Sequence, residues 1–255
     1  MGYNRELRIP TICAMIEGFM RTLVFDTGPI ISLSMNSILW LLKDLKRKFG
    51  GEFMLPTEVR KELVDRPIET KKFKFEALQV LSLINKGVLQ VIDQQQARQR
   101  ADRLYSIANK IFWAKNKTIT IVHKAEMEAV ATALEFNADA VIIDERTTRV
   151  LIEDPYEVGR MLERKLHTQL RTDQRALEEF SRETKGLRVL RSTELVVMAF
   201  ELGLLDQYLP PMRSPRKKLL ESVLWGVKLN GCAISPQEID FLVREETADE
   251  RKIGS

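Results

Sequence analysis

Apolar residues crowd into four short runs in the first half of the chain, at positions 22–26, 53–55, 88–92 and 138–143. Each is rich in Val, Ile, Leu or Phe and bounded by polar or turn-forming residues, the pattern of a strand. The first and last are nearly continuous hydrophobic stretches, as expected for strands of a parallel sheet covered on both faces. A fifth candidate spans 187–190. Between the runs, residues 76–84 and 126–136 carry apolar side chains at three- and four-residue spacing, the period of a helix that packs along one face. This alternation predicts right-handed βαβ units and hence a doubly wound α/β fold around a parallel sheet of about five strands.

Beyond Asp154-Pro155 the pattern changes. Residues 156–185 are charged and helix-compatible, and Gly186 is placed to end them, so an inserted helix is expected before the last strand. Helical periodicity resumes at Thr193 and is broken by Leu209-Pro-Pro-Met212 and by Ser235-Pro236, where Ser235 and Glu238 have the spacing of a capping box. The expected organisation is an N-terminal extension (1–21), a main domain (22–205, with 156–185 as its helical insert) and a C-terminal helical extension (206–255) with extra helices. Ile12, Met15, Ile16 and Phe19 suit a short helix in the first of these.

Composition narrows the class. With 255 residues and 44% hydrophobic content the chain can bury a substantial core. A net charge of +4 and a pI near 9.0 allow nucleic acid as a partner without demanding it. Two distant cysteines, Cys13 and Cys232, give neither a disulfide framework nor zinc spacing, which fits a reducing, cytoplasmic setting. The longest apolar runs, such as 38–42, fall far short of a membrane span, and Glu17 interrupts the apolar N-terminal stretch, so neither a transmembrane helix nor a signal peptide is expected.

Ligand sites of parallel sheets lie beyond the carboxyl ends of the strands, so acids that follow strands come first. Asp26 ends the first strand and Asp144 the fourth. Glu126 and Glu128 lie on the helix leading into that fourth strand, two apart and therefore on different faces. Glu58 and Glu62 are four apart on the helix after Pro56, so both are expected to look toward the same region. An all-oxygen cluster of this kind suits a hard cation, Mg²⁺ or Mn²⁺, which can activate water and neutralise charge at a phosphodiester. Crowded like charges also oppose folding in the absence of metal, so neutralising Asp144 is expected to leave the metal-free protein as stable or more so. Taken singly, each acid is read as well as a helix cap.

Leu23-Val-Phe-Asp-Thr-Gly-Pro-Ile-Ile31, Leu55-Pro-Thr-Glu-Val-Arg-Lys-Glu-Leu63, and Glu126 followed by Ala129, Ala131-Thr-Ala-Leu134 and Ala138-Asp-Ala-Val-Ile-Ile-Asp144 resemble, in order and spacing, the successive motifs of PIN-domain proteins. The resemblance runs from about Thr22 to Leu151, and 186–190 with 203–205 resemble the last strand and helix of archaeal and bacterial PIN proteins of unassigned role. It implies Asp26, Glu62, Glu126 and Asp144 as the four acids that hold Mg²⁺ or Mn²⁺, with Thr27 as polar neighbour of the first. Glu58 competes for the second role and Glu128 for the third. The implied activity is a metal-dependent endoribonuclease cutting single-stranded RNA, with single-stranded DNA as a second substrate. Implied partners are a second copy of the chain, through apolar faces at Leu219, Leu220, Val223 and Leu224, and an antitoxin-like protein. Two features depart from compact toxin-type relatives: the insert with the tail beyond Leu209, and Glu rather than Asp as third acid. The alternative function is a non-catalytic nucleic-acid-binding or scaffold protein within a larger complex.

Other readings fall away. Asp26-Thr27-Gly28 has the look of an aspartic-protease loop, but the chain is too helical for that β fold. A dehalogenase-like phosphatase needs an Asp where Gly28 stands, and neither a phosphate-binding Gly loop nor a Gly-x-Ser-x-Gly elbow occurs. His123 and His167 read as surface or helix-start residues, and Trp40, Trp113 and Trp225 as core or interface anchors. Basic clusters at 43–48 and 213–218, and along Arg160, Arg164 and Arg171, suit either a phosphate backbone or a solvated face.

Overall fold

The computed structural model describes residues 22–209 and 211–248; the helix expected around Ile12, Met15, Ile16 and Phe19, and Cys13 with it, lies outside them. Strands β1 (Thr22–Phe25), β2 (Glu52–Pro56), β3 (Gln90–Ile92), β6 (Ala140–Ile142) and β8 (Val189–Leu190) form one all-parallel sheet in the order β3-β2-β1-β6-β8. The chain winds outward from β1 through β2 to β3, then returns to β1's other side for β6 and β8. Doubly wound topology follows, with the switch point between β1 and β6. Leu23 stands beside both Phe53 and Ala140, and Ile142 beside Leu190.

Side-chain alternation along β1 sorts the core into two layers. Leu23 and Phe25 point into one hydrophobic cluster and Val24 into the other. Helices α1 (Thr27–Met35), α2 (Leu41–Phe49) and α5 (Lys74–Asn85) cover the first face; α6 (Gln95–Ala108), α7 (Lys124–Glu135) and α8 (Arg146–Glu153) cover the second. Between β2 and α5 lie α3 (Thr57–Arg60), a π-helical turn (Lys61–Asp65) and α4 (Arg66–Glu69).

The third strand is shorter than its apolar run. Gly87 takes a left-handed conformation (φ 68°) and turns Val88 back to donate to the Leu83 carbonyl at 2.9 Å, so pairing begins only at Gln90. The insert also departs from a single helix. It contains α9 (Pro155–Leu166) and α10 (Gln174–Glu183), separated by left-handed His167 and by β7 (Arg171–Thr172). Asp173 starts the second helix afresh by accepting from the Ala176 amide at 3.1 Å. Strand β7 joins β4 (Phe112–Ala114) and β5 (Lys117–Thr118) in a small antiparallel sheet, whose two- and three-residue strands are too short to leave an alternating pattern.

Left-handed Gly186 stands after α10, as a helix stop should. Beyond α11 (Ser192–Glu201), the C-terminal helices α12 (Pro215–Leu229) and α13 (Pro236–Glu246) form, the latter with the expected capping box between Ser235 and Glu238. Leu219, Leu220 and Leu224 are buried in the same cluster as β1, and Val223 packs at its edge. The chain thus uses this apolar stripe internally, and it offers no face to a second copy. No helix among the described residues is long and apolar enough to cross a membrane.

Candidate metal centre

Asp26 sits one residue past β1, where its amide donates to the Ile142 carbonyl at 3.0 Å and closes the switch-point ladder. Extended backbone at Asp26 makes it the N-cap of α1, and its Oδ2 accepts from the Gly28 amide at 3.4 Å. Only 4% of the residue is exposed. Burial, and next the negative charge of Glu126, push its carboxyl up to about 7; the Thr27 and Gly28 amides pull the other way, and Glu62 adds a smaller push. Among the described residues no ion pair reaches Asp26. Gly28 makes the close approach of the two strand ends tolerable: a methyl group there would stand 3.3 Å from Asp144 Cβ and 3.7 Å from Asp26 Oδ2.

The π-helical turn separates the two candidates for the second acid. In a regular helix Glu58 and Glu62 would share a face, but the wider turn breaks that register. Glu62 meets Thr27, whose hydroxyl donates to Oε2 at 2.9 Å, while Arg66 lies 3.7 Å from its other oxygen. Glu58 instead pairs with Lys61 at 2.6 Å. Its amide donates to Glu128 Oε2 at 2.7 Å, so Glu58 and Glu128 belong together, apart from Asp26. Burial raises the Glu128 carboxyl above its ordinary range, with the Glu58 amide bond opposing.

Glu126 is buried in the first turn of α7, where Oε2 accepts from the His123 amide at 3.1 Å and the Thr148 hydroxyl at 2.6 Å. Burial raises its carboxyl, those two hydrogen bonds oppose the rise, and the charge of Glu145 adds to it. Asp144, 1% exposed, ends the β6 segment but turns its oxygens to Ser32 and Ser192. Glu145, the next residue, is exposed; it caps α8 by accepting from the Thr148 amide at 2.7 Å. The sequence reading did not single out Glu145, although an acid directly before a helix at a strand end was the available signal.

The structure therefore brings Asp26, Glu62 and Glu126 into one electrostatic neighbourhood, with Asp144 and Glu145 at the adjoining turn. Among the described residues no group of three or more His, Cys, Asp or Glu side chains is arranged to enclose an ion as it stands. Glu126 and Asp144 both accept hydrogen bonds from protein donors. The donor chemistry nevertheless fits a hard divalent cation: carboxylate oxygens, with Asp26 buried beside the like charges of Glu126 and Glu62 and no ion pair among the described residues.

The remaining candidates have local partners. His123 caps α7, and His167 terminates α9. Trp40 and Trp225 pack against the core, and Trp113 donates to the Lys110 carbonyl under the Arg171 guanidinium. Arg160 and Arg164 both pair with Glu157, and Lys46 bridges Glu52 and the Gly87 carbonyl. Residues 22–153, more than half of the chain, match the family model described as a PIN domain. No curated protein matches the chain.

Proposed function

Since this chain belongs to the PIN-domain family, a nuclease superfamily whose members typically use divalent metals, we propose that it is a Mg²⁺- or Mn²⁺-dependent endoribonuclease that cleaves single-stranded RNA. The carrying observation is Asp26: a carboxyl at the switch point raised by burial, then by the charges of Glu126 and Glu62, and matched by no cation among the described residues. Structural ion pairs neutralise buried acids, whereas a cation-binding site leaves them uncompensated.

In this reading Asp26, Glu62 and Glu126 hold the metal, with the fourth acid supplied at the β6–α8 turn, where Asp144 and Glu145 lie side by side. When bound, the cation supplies Lewis-acid polarisation of the phosphodiester and a counter-charge for the leaving oxygen. The chain's own groups orient the site. Thr27 fixes one oxygen of Glu62, and His123 with Thr148 fix one of Glu126 and leave Oε1 outside those bonds. Asp26 must give up its proton before it can ligate, so binding weakens below about pH 7. RNA is the proposed partner and the cytoplasm the proposed setting; residues 1–21 and 206–255 enter as extensions of a domain spanning 22–205.

A non-catalytic nucleic-acid-binding or scaffold role is the second reading, favoured by the engagement of Glu126 and Asp144 with protein donors. One experiment separates the two. Single-stranded RNA, double-stranded RNA and single-stranded DNA are incubated with the protein in Mn²⁺, Mg²⁺ or EDTA. Cleavage of single-stranded RNA that needs metal supports the nuclease; binding without cleavage in every metal supports the scaffold.

A further inference from the structure

The resemblance assigns the fourth acid to Asp144, and the geometry points elsewhere. Asp144 Oδ1 accepts from the Ser192 amide at 2.7 Å, and the Ser192 hydroxyl lies 2.9 Å from Oδ1 and 2.7 Å from Oδ2. The Ser32 hydroxyl reaches Oδ2 at 2.7 Å. Two donors fall within reach of each oxygen, in a pocket sealed from solvent, which is the environment of a satisfied buried carboxylate. Ser32 belongs to α1 and Ser192 opens α11, so the carboxylate joins two helices to the end of β6.

The backbone around it extends the same joint. Ala233, in the loop between α12 and α13, donates its amide to the Asp144 carbonyl at 3.1 Å. Its own carbonyl accepts from Arg191 Nη1 at 3.3 Å, and Arg191 also pairs with Glu194 and with Glu238 of α13. Cys232 in that loop is buried beside this carboxylate, and burial, followed by the Asp144 charge, pushes its thiol up to about 12. The C-terminal helix pair is thus fastened to the strand that ends in Asp144.

Glu145 faces the other way. Thr148 gives its amide to Glu145 Oε2 at 2.7 Å and its hydroxyl to Glu126 Oε2 at 2.6 Å, so one residue holds both carboxylates on one side of the α8 start. Each keeps its other oxygen outside these bonds.

We propose that Asp144 is a clip fastening α1, α11 and the α12–α13 loop to the end of β6, and that Glu145 is the fourth acid facing Glu126 in the metal centre. This rests on the nuclease reading for Glu145, while the clip stands independently of it. Neutralising Asp144 therefore weakens the fold, against the expectation drawn from four crowded acids.

The test is a double comparison of Asp144→Asn and Glu145→Gln with wild type: thermal melts in EDTA, and Mn²⁺ titration by calorimetry at 15 °C with circular dichroism to confirm folding. Asp144→Asn should lower the metal-free melting temperature by roughly 4–10 °C, the loss expected for charge-assisted buried hydrogen bonds in a chain of this size. Its Mn²⁺ affinity should stay within about threefold of wild type. Glu145→Gln keeps an acceptor for the Thr148 amide and should melt near wild type, but lose on the order of tenfold or more in Mn²⁺ affinity. An Asp144→Asn protein that melts like wild type overturns the clip. An Asp144→Asn protein that loses Mn²⁺ while Glu145→Gln retains it overturns the assignment of the fourth acid. Should Asp144→Asn not fold, the clip is supported and Glu145→Gln decides the acid. A wild type that binds no Mn²⁺ overturns the nuclease reading and the acid assignment together, while the EDTA melts still decide the clip.

Discussion

The Thr27 hydroxyl donates to Glu62 Oε2 across 2.9 Å, tying the residue after the first acid to the π-helical turn that carries the second. Glu58, four residues earlier, is paired with Lys61 on another side. Glu62→Gln should therefore lower metal-dependent cleavage by about tenfold to a hundredfold, the range for perturbing a metal site's ligand shell, and Glu58→Gln should change it little. Steady-state cleavage of one RNA by both variants checks this; equal losses would mean that the π turn does not separate the two acids.

Asp26 makes the metal-free protein pH-sensitive with a definite sign. Its folded carboxyl is raised to about 7 against an ordinary 3.8, so between those values the folded state holds a proton that the unfolded state has lost. Stability from this group therefore increases as pH falls from about 7 toward 4 and is lost as pH rises through 7, by an amount on the order of a few kcal/mol. Urea titrations in EDTA at pH 5 and pH 8 should show it, with other titrating groups removed by comparison with Asp26→Asn. That variant should have a flatter profile and greater stability at pH 8. A wild-type-minus-variant difference that does not vary with pH would contradict the buried, uncompensated carboxylate.

Thr148 is fully buried and donates to Glu126 and Glu145 at once. Thr148→Val keeps the shape and the amide but removes the hydroxyl, so Glu126 loses one of the two donors that hold Oε2. The expected cost is about 1.5–3 kcal/mol, as for a hydrogen bond to a charged group. Chemical denaturation in EDTA measures it; no change would show that the hydroxyl does not hold Glu126.

The C-terminal helices should be sensitive to bulk where α12 meets α1. A methyl group at Gly226 would overlap Asn36 Oδ1, and Asn36 donates to the Ser32 carbonyl at 2.7 Å. Gly226→Ala is expected to cost about 1–3 kcal/mol through overpacking. Asn36→Ala should recover part of that in the double variant, giving a coupling visible in a double-mutant cycle. Additive effects would mean that the two positions do not touch.

Strand positions and the doubly wound topology were legible because short apolar runs alternate with helix-period segments, and the four runs and the fifth candidate all contribute strands to the main sheet. Asp26 was legible for the same reason, since it follows the most regular of these runs. Nothing in local spacing revealed the π turn, after which Glu62 meets Thr27 while Glu58 stays with Lys61. The small sheet of β4, β5 and β7 and the break at His167 escaped notice because their strands are too short for periodicity to register. The environment of Asp144 was illegible for a different reason: its partners Ser32 and Ser192 are 112 and 48 residues away, and only the packed fold brings those hydroxyls to it.

In the proposed nuclease, buried Asp26 anchors a divalent cation for phosphodiester cleavage. Its most direct test is the single-turnover cleavage rate of single-stranded RNA in Mn²⁺ for wild type and Asp26→Asn, purified side by side. The rate should fall on the order of a hundredfold or more in the variant, with a thermal transition in EDTA equal to or above that of wild type. Cleavage by Asp26→Asn at the wild-type rate would contradict it.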